Sequence, residues 1–394
     1  MNDILDLEAR YDSGVYPKRD LALVRGEGAI VYDTAGRRYI DCIAGIGAAN
    51  VGHAHPRVVA AIRKQAGRLM VCPGIFSNDV RAELLQRLVK VAPGGMARAF
   101  LCNSGAEAVE AAIKLARLHT GRHEIVAAMR GFHGRTMGAL SATWEKDYRT
   151  PFEPLVPGFS HVPYNDTDVL AAAITERTAA VLLEVVQGEG GVRPGSREFL
   201  QGAQAACQVQ GALLIIDEVQ SGYGRTGRLF ACEHHDLRPD LLCVAKSMAG
   251  GLPMGGVLIG EALGEIPRKV HGSTMGGNPL ACAGALATLD VLQEQDLVGR
   301  AARLGRHALE RFSAIASPVV REARGLGLFL GLELRIKSAP VVRRLQDEGI
   351  LVLQAGPTVI RMLPPLVIEE ADLEHVLTAV EAAVAGDGTA ASAP

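Results

Sequence analysis

The sequence predicts an α/β protein with one large, mostly parallel sheet and a smaller α+β domain built from both chain ends. Between about residues 97 and 260, short apolar runs alternate with segments of helical periodicity. These runs lack the alternation of half-exposed strands and end abruptly in polar residues or glycine-rich turns. Unbroken apolar runs are typical of strands that helices cover on both faces, as in a doubly wound parallel sheet.

Composition narrows the class of protein. The 394 residues are 48% hydrophobic and 21% charged, so the chain can bury a sizeable core. The formal net charge of -2 gives no electrostatic reason to expect nucleic acid or an acidic membrane as a partner. No apolar run approaches a membrane span, and the N-terminus does not resemble a signal peptide. The seven cysteines form no CxxC pair, which favours reduced thiols in a cytoplasmic protein.

Turn signals and apolar periodicity predict the elements of the first two thirds of the chain. In the first 50 residues, strands are expected at 21–26, 30–33 and 39–43. Helices are expected at 57–69, 79–91, 107–118, 168–174 and 197–208. Strands of the large sheet are expected at 99–102, 124–128, 179–186, 212–216, 241–245 and 256–259.

After Asn278-Pro279 a long helical stretch runs to about residue 316, broken only by caps. Later strands are expected at 329–334, 350–353 and 359–363, and helices at 339–347 and 370–384. The predicted domains are therefore the N-terminal part of a small domain (1–50), a large domain (51–284) and the C-terminal part of the small domain (285–384). The small, polar residues 385–394 are expected to be a disordered tail.

Two charged residues, Asp217 and Lys246, stand directly at the ends of two apolar runs in the middle of the chain. In open α/β sheets, ligands bind beyond the carboxyl ends of the strands, which is where both side chains are expected. A structural ion pair between the two residues is the simpler alternative.

Residues 102–107 close one predicted strand and open a helix. Ser104 and Glu107 have the spacing of a capping box. A helix start also attracts anions, and Gly105 and Ala106 would let a phosphate approach the backbone closely. A plain helix cap is the alternative interpretation.

Other candidate residues follow strands of the same sheet. Phe132 can cover a planar ring, and Arg135 can hold a carboxylate with two parallel bonds; a core phenylalanine beside a surface arginine is the alternative. Glu189 lies on a glycine-rich loop. Ser273 and Thr274 lie in a turn-rich loop before a helix.

Arg361 is a charge inside an otherwise apolar predicted strand. Because a bare guanidinium is costly to bury, we expect Arg361 to meet an anion there or to emerge into a cleft.

Two further patterns resemble a dinucleotide-binding loop and a metal site, but both have simpler interpretations. Residues 222–227, GYGRTG, match a dinucleotide fingerprint, but no helical pattern follows and Lys246 stands where an acidic residue is required. The pair His53 and His55 and the run from Cys232 to His235 lack the spacing of a zinc site, so no metal is expected.

Taken together, one lysine, one aspartate, a phosphate cradle, an aromatic ring and two arginines are predicted at one sheet edge. That set suits pyridoxal 5'-phosphate (PLP).

Several motifs carry a resemblance to a known family. The segments DEVQSGYGRTG (217–227) and PDLLCVAK (239–246) resemble the signature of class III (subgroup II) PLP-dependent aminotransferases. FHGRT, EVVQGEGG, HGSTMGGNPLA and the arginine of TVIRMLPPL are similar to the acetylornithine/ornithine branch. SGVYPKRDL and LQAGPTVIRMLPPLVIE look most like the branch members that act on lysine or ornithine precursors attached to the LysW carrier protein. The resemblance covers about residues 21–384 and implies PLP fold type I, with a seven-stranded, mostly parallel sheet.

The resemblance implies a role for each matching residue around the cofactor ring. Lys246 would carry the cofactor as a Schiff base and shuttle a proton, and Asp217 would pair with the ring nitrogen. Gln220 would bond the phenolic oxygen. Val219 and Phe132 would pack on opposite faces of the ring.

The phosphate and substrate contacts are implied in the same way. Ser104, Gly105 and Ala106 would hold the phosphate, joined by Thr274 from the second subunit of a homodimer. The substrate residues implied are Arg135 for a substrate carboxylate, Ser273 for the blocked amino acid, Arg361 for the α-carboxylate of glutamate, and Glu189 as a switch that pairs with Arg361. Met275 stands where phenylalanine is common in the family, and it could reshape the substrate entrance.

The function implied is transfer of a terminal δ- or ε-amino group between an α-N-blocked lysine or ornithine and 2-oxoglutarate, in lysine or arginine biosynthesis. The block would be an acetyl group or a small acidic carrier protein. The alternatives are an ornithine or 4-aminobutyrate aminotransferase, a nicotinamide-dependent oxidoreductase built on GYGRTG, and a non-catalytic carrier-binding protein.

Overall fold

The computed structural model describes residues 4–385. Within that range the α-helices are α1 (Ile4–Tyr11), α2 (Ala44–Gly47), α3 (Pro56–Ala66), α4 (Asp79–Val91), α5 (Gly105–Thr120), α6 (Met137–Ala142), α7 (Lys146–Arg149), α8 (Thr167–Ala173), α9 (Arg197–Gln210), α10 (Pro279–Glu294), α11 (Leu297–Ser313), α12 (Ala339–Asp347) and α13 (Glu370–Ala385). Short 3-10 helices cover Thr150–Phe152, Ala231–His235, Lys246–Ala249 and Glu261–Leu263. None of the helices in this range has the length and apolar character needed to span a bilayer.

The strands are β1 (Leu23–Glu27), β2 (Ile30–Asp33), β3 (Arg38–Asp41), β4 (Met96–Cys102), β5 (Glu124–Ala128), β6 (Phe159–Val162), β7 (Thr178–Glu184), β8 (Val186–Gln187), β9 (Arg193–Pro194), β10 (Leu213–Asp217), β11 (Leu241–Val244), β12 (Gly255–Gly260), β13 (Val320–Leu326), β14 (Phe329–Leu334), β15 (Ile350–Leu351), β16 (Leu353–Gln354) and β17 (Val359–Met362).

Seven of these strands form the large sheet, in the order β4-β12-β11-β10-β7-β5-β6. Neighbours from β11 to β6 pair in parallel, whereas β12 runs antiparallel to both β11 and β4. Every residue of β7, β10, β11 and β12 is buried, because helices cover both faces of the sheet centre. The predicted large, mostly parallel sheet is confirmed.

Three strands were not predicted, one of them the two-residue strand β9. The edge strand β6 has the sequence FSHV, and β13 has the sequence VREARGL, in which Arg321 and Glu322 are exposed and Arg324 is buried. Polar residues interrupt both runs, so neither shows the apolar pattern of a buried strand. The helical stretch predicted after Asn278, broken only by caps, is two helices, α10 and α11; Asp296 adopts a left-handed φ of 45° between them and caps α11.

Residues from both chain ends share a sheet, as predicted. Strand β15 from the C-terminal part pairs in parallel with β3 from the N-terminal part, in the order β1-β2-β3-β15. Strands β13, β14, β17 and β16 form a further sheet. The domain boundaries near residues 50 and 284 stay predictions. Residues 386–394 of the predicted tail lie outside the described residues, and Ala385 is the last residue of α13.

The loop GYGRTG is a structural junction rather than the start of a dinucleotide-binding helix. Its Arg225 is fully buried and donates to the carbonyl oxygens of Leu328 (3.0 Å) and Pro364 (2.6 Å) and to Oδ1 of Asn50 (2.6 Å). Burial lowers the pKa of Arg225 to about 9. The loop therefore joins the sheet edge to both the N-terminal and the C-terminal parts of the chain.

Candidate active site

Asp217 and Lys246 lie at the carboxyl edge of the large sheet. Asp217 is the last residue of β10, and Lys246 follows the neighbouring parallel strand β11 by two residues. Both line one cavity of about 280 Å³. Lys246 has a left-handed φ of 47°, a conformation that is costly for a residue with a Cβ and recurs at functional sites.

The carboxylate of Asp217 is paired with a histidine rather than with Lys246. Its Oδ1 accepts the backbone N–H of Val219 at 3.0 Å, and its Oδ2 lies 2.8 Å from Nδ1 of His133. Burial alone would lower the pKa of His133, but the hydrogen bond and charge of Asp217 outweigh it, and the pKa is raised. The partners fix the orientation of Asp217 beside the cavity, so the alternative of a simple Asp217–Lys246 ion pair is not what the structure shows.

The amine of Lys246 is set up to exist partly as the neutral base. Its pKa is lowered, first by burial and then by the positive charge of Arg361. A neutral amine is the form that attacks a carbonyl carbon and removes a proton. The position and the pKa of Lys246 therefore both suit a nucleophile.

The N-terminus of α5 forms another wall. The hydroxyl of Ser104, the N-cap, accepts the N–H of Glu107 at 3.2 Å, as in a capping box. The Glu107 carboxylate accepts the N–H of Asn103, one residue before the N-cap, at 2.6 Å. Gly105 and Ala106 line the cavity, whereas Ser104 borders a neighbouring one.

A Cβ at Gly105 would lie 2.6 Å from Cγ1 of Val219. The backbone therefore comes this close to Val219 because residue 105 is glycine. The unpaired N–H groups of the helix start suit an anion such as a phosphate.

An aromatic ring and an arginine flank the opening of the cavity. Phe132 lines the cavity and meets Tyr148 edge to face, with 6.1 Å between ring centroids. The guanidinium of Arg135 lies 3.4 Å from the Tyr148 centroid and 5.6 Å from that of Phe132. Since the Arg135 side chain is exposed and stacked rather than tied to a carboxylate, it is free to hold an incoming anion.

Arg361 reaches the cavity from β17. Its Nη1 lies 2.7 Å from Oε1 of Glu189 and 3.3 Å from Oε1 of Gln220, and its side chain is only 3% exposed. Gln220 also donates to the carbonyl oxygen of Ile46 at 3.2 Å. The buried charge predicted at Arg361 thus meets an anion, and Glu189 can reach it from a glycine-rich loop.

The structure separates Ser273 and Thr274 from the residues that line the cavity of the same chain. The Ser273 hydroxyl accepts hydrogen bonds from Nδ2 of Asn103 (3.0 Å) and from the N–H of Gly276 (3.1 Å). Thr274 is exposed on the loop before α10. The predicted contact of Thr274 with a cofactor held by a second subunit stays a prediction, as does the predicted role of Ser273.

Sequence reasoning missed two site residues, His133 and Glu184. The signal for His133 was its place beside Phe132 in FHGRT, and that for Glu184 was its place at the end of a buried strand. The buried Glu184 carboxylate accepts the N–H of Phe132 and that of Gly188, each at 3.0 Å. Burial raises the pKa of Glu184 to about 7.

This arrangement can be tested for a fit to a cofactor. The cavity is lined by the carboxylate of Asp217, the start of α5 that suits an anion, the ring of Phe132, the side chain of Val219, and a lysine with a lowered pKa. A planar molecule with a basic ring nitrogen, a phosphate and an aldehyde would use all of these groups at once. PLP has that chemistry, and the fold and the site together define a PLP-dependent enzyme.

Comparisons with known proteins agree. The family model described as aminotransferase class-III matches residues 13–384, so the chain belongs to the class III aminotransferases, which use PLP. The [LysW]-aminoadipate semialdehyde transaminase of Deinococcus radiodurans is 50% identical over 381 residues, which cover 96% of this chain and 89% of the relative. The acetylornithine aminotransferase of Methanopyrus kandleri is 46% identical over 389 residues, covering 98% of this chain and 100% of that relative.

Among solved structures, the ornithine aminotransferase of Toxoplasma gondii superposes with a TM-score of 0.92 at 34% identity. The match covers 96% of this chain and 93% of that one, and the structure was described as having PLP at partial occupancy in its active site.

Proposed function

We propose that this aminotransferase moves the terminal amino group between an α-N-blocked lysine or ornithine and 2-oxoglutarate, which becomes glutamate. The observation that carries the proposal is the Arg361–Glu189 pair. A terminal amine has no carboxylate on its reacting carbon, so Arg361 must be neutralised when it enters. Glutamate has such a carboxylate, which needs a free Arg361. A carboxylate on a loop can pair with Arg361 when the terminal amine is bound and leave it when glutamate is bound, so one pocket accepts both substrates.

Each residue of the site has its own role in the proposed reaction. When bound, PLP supplies an electron-withdrawing ring and carbonyl. Asp217, held by His133, would pair with the ring nitrogen. Lys246 Nζ removes the proton from the substrate carbon that bears the amine. The α5 N-terminus binds the phosphate, and Arg135 binds the α-carboxylate of the blocked substrate, with Ser273 placing its tail.

Two kinds of block are supported by the names of relatives. The Deinococcus relative is named for a substrate carried by LysW, and the Methanopyrus relative for acetylornithine. The first is the more similar, which favours a carrier-linked substrate and lysine biosynthesis; the second supports arginine biosynthesis. Free ornithine is the second candidate substrate, on the likeness to the Toxoplasma enzyme.

We also propose a homodimer with shared active sites, working in the cytoplasm. The segment 69–76 exposes large apolar side chains, including Ile75 and Phe76 at 84% and 62%. Arg81 ties this segment to the Thr274 loop by donating to the carbonyl oxygens of Cys72 (2.9 Å) and Gly277 (3.5 Å). One surface therefore carries both an apolar patch and Thr274. All seven cysteines are unpaired, six of them buried, which suits a reducing compartment.

The test is a side-by-side measurement of kcat/KM for acetylornithine, carrier-linked lysine and free ornithine, each with 2-oxoglutarate. We expect kcat/KM for a blocked substrate to exceed that for free ornithine by at least about tenfold, because Arg135 and the entrance of the cavity accept the blocked form. Lys246→Ala is expected to abolish turnover and the visible absorption of the bound cofactor. The exposed Lys64→Ala is the control. A preference for free ornithine, or full activity of Lys246→Ala, would overturn the proposal.

A further inference from the structure

The side chain of Arg135 is held by an aromatic ring that lies outside the active-site cavity. Its guanidinium carbon is 3.4 Å from the ring centroid of Tyr148, which places the cation directly over the face of the ring. Tyr148 lies on the short helix α7, between α6 and β6, and is half-buried. Within residues 4–385, Arg135 pairs with no carboxylate, so its side chain depends on its aromatic neighbours for its direction.

The backbone that follows Arg135 is fixed separately, by Glu110 of α5. Oε1 of Glu110 accepts the hydroxyl of Thr136 (2.7 Å) and the N–H groups of Gly138 (2.8 Å) and Ala139 (3.1 Å). These bonds tie the turn that carries Arg135 to the same helix whose start suits a phosphate. Since the backbone is anchored in this way, the place of the guanidinium is decided by the side chain alone.

The ring of Tyr148 is itself held in place. It meets Phe132 edge to face, with 6.1 Å between the ring centroids and 88° between the ring planes. The segment that leads to Tyr148 starts at Trp144, whose N–H donates to the carbonyl oxygen of Gly131 at 2.9 Å. Because Gly131 directly precedes Phe132, the Tyr148 ring has a defined position beside the loop that lines the cavity.

We propose that Tyr148 is a positioning residue whose ring holds the Arg135 guanidinium in the orientation that receives the α-carboxylate of the substrate. This inference rests on the proposed function, in which Arg135 binds that carboxylate. Stacking uses the face of a guanidinium, whereas a carboxylate binds the N–H groups at its edge, so the two contacts do not compete. Without the ring, the long side chain must lose its rotamer freedom when the substrate binds, which weakens binding.

The test compares acetylornithine with N-acetylputrescine, which is the same molecule without the α-carboxylate. In the wild type we expect kcat/KM for acetylornithine to be at least about thirtyfold higher, because only acetylornithine can bind Arg135 through a carboxylate. Tyr148→Leu should lower this ratio about tenfold, mainly by raising KM for acetylornithine, and change kcat/KM for N-acetylputrescine less than about threefold. Tyr148→Phe keeps the ring and should keep the ratio. A wild-type ratio near one would overturn both the inference and the proposed role of Arg135.

A second stacked tyrosine gives a matched control. The guanidinium carbon of Arg25 lies 3.7 Å from the ring centroid of Tyr32, on strand β2 of the N-terminal sheet. Tyr32→Leu removes a stack of the same kind and should leave the ratio of the two substrates unchanged. A ratio that falls equally in Tyr32→Leu and Tyr148→Leu would reflect a general loss of structure and would overturn the inference.

A binding measurement separates this inference from the proposed function. N-acetylnorvaline is acetylornithine without the amine that is transferred, so calorimetry with the holoenzyme gives its Kd without turnover. A Kd raised about tenfold in Tyr148→Leu and unchanged in Tyr148→Phe supports the inference even if acetylornithine is not a substrate; the proposed function alone would then fail. Turnover of acetylornithine, together with a Kd for N-acetylnorvaline that Tyr148→Leu leaves unchanged, overturns the inference and leaves the proposed function standing.

Discussion

A 2.7 Å ion pair joins Arg361, on strand β17, to Glu189, on the glycine-rich loop after β8. The arginine is nearly inaccessible, whereas a third of the glutamate side chain is exposed. This difference in exposure favours Glu189 as the partner that moves in the proposed switch.

Glu189→Gln should slow the half-reaction of the amine donor much more than the half-reaction of glutamate. Without its charge, residue 189 no longer neutralises Arg361, so the amine donor meets an uncompensated cation. We expect kcat/KM for the donor to fall about 10–100-fold, equivalent to about 1.5–3 kcal/mol, with less than about threefold loss for glutamate. Single-turnover measurements of each half-reaction check this, with the exposed Glu198→Gln as control. Equal losses in both half-reactions would show that Glu189 is not a switch.

Gly105→Ala should weaken cofactor binding. The new Cβ would lie 2.6 Å from Val219 Cγ1. The start of α5 and Val219 must therefore move apart, at a cost of about 1–3 kcal/mol. Equilibrium dialysis should give a cofactor Kd raised about tenfold or more. In the control, Gly94→Ala, the added methyl meets no atom within 4 Å. Equal affinities in the two variants would contradict the close packing argued for Gly105.

Glu184 should make the stability of the protein depend on pH. Burial raises the pKa of its carboxyl from 4.5 to about 7, so the folded state holds the proton more tightly than the unfolded chain. Its contribution is present below pH 4.5 and is lost as the pH rises to about 7, by about 3 kcal/mol.

Glu184→Gln removes that titration. The free energy of unfolding of the wild type, minus that of the variant, should decrease between pH 5 and pH 7 and stay level above. Urea unfolding at several pH values measures the difference. Taking the difference cancels other groups such as His161, whose pKa is lowered to about 4, chiefly by burial. Glu176→Gln, on the surface, is the control. A difference independent of pH would rule out a buried, titrating Glu184.

Phe76→Glu should dissociate the proposed dimer. The side chain is 62% exposed within an apolar segment, and a charge there opposes its burial against a second subunit. Sedimentation velocity should show a shift from dimer to monomer, with loss of cofactor if Thr274 of the second subunit completes the phosphate site. The control, Val209→Glu, places a charge at another exposed apolar position, on α9, where the side chain is 82% exposed. A dimer that tolerates Phe76→Glu would place the interface elsewhere.

The parts of the fold that could be predicted are those whose sequence is apolar or helically periodic throughout. Strand β10 and helix α4 are apolar or periodic throughout and were placed within a residue or two. Strand β6 lies at the sheet edge with polar residues in its sequence, so pattern alone did not reveal it.

The same holds for the site. Asp217 and Lys246 were found because each ends a buried strand. The hydrogen bond from the N–H of Phe132 to Glu184 was not, since 52 residues separate the two in the chain. The partner of Asp217 was likewise beyond the sequence, because His133 lies 84 residues away.

Arg225 joins parts of the chain that are far apart in sequence through its hydrogen bonds. Its guanidinium binds the carbonyl oxygens of Leu328, just before β14, and Pro364, two residues after β17, and it also binds Asn50. Strand β17, which pairs with β14, carries Arg361. Swinging those strands outward would leave a buried cation without acceptors, at a cost of several kcal/mol. We therefore expect the two substrates to exchange through a cleft of constant width, with a radius of gyration from X-ray scattering that glutamate does not alter. Discrimination between them would then rest on the rotation of one side chain rather than on closure of the protein.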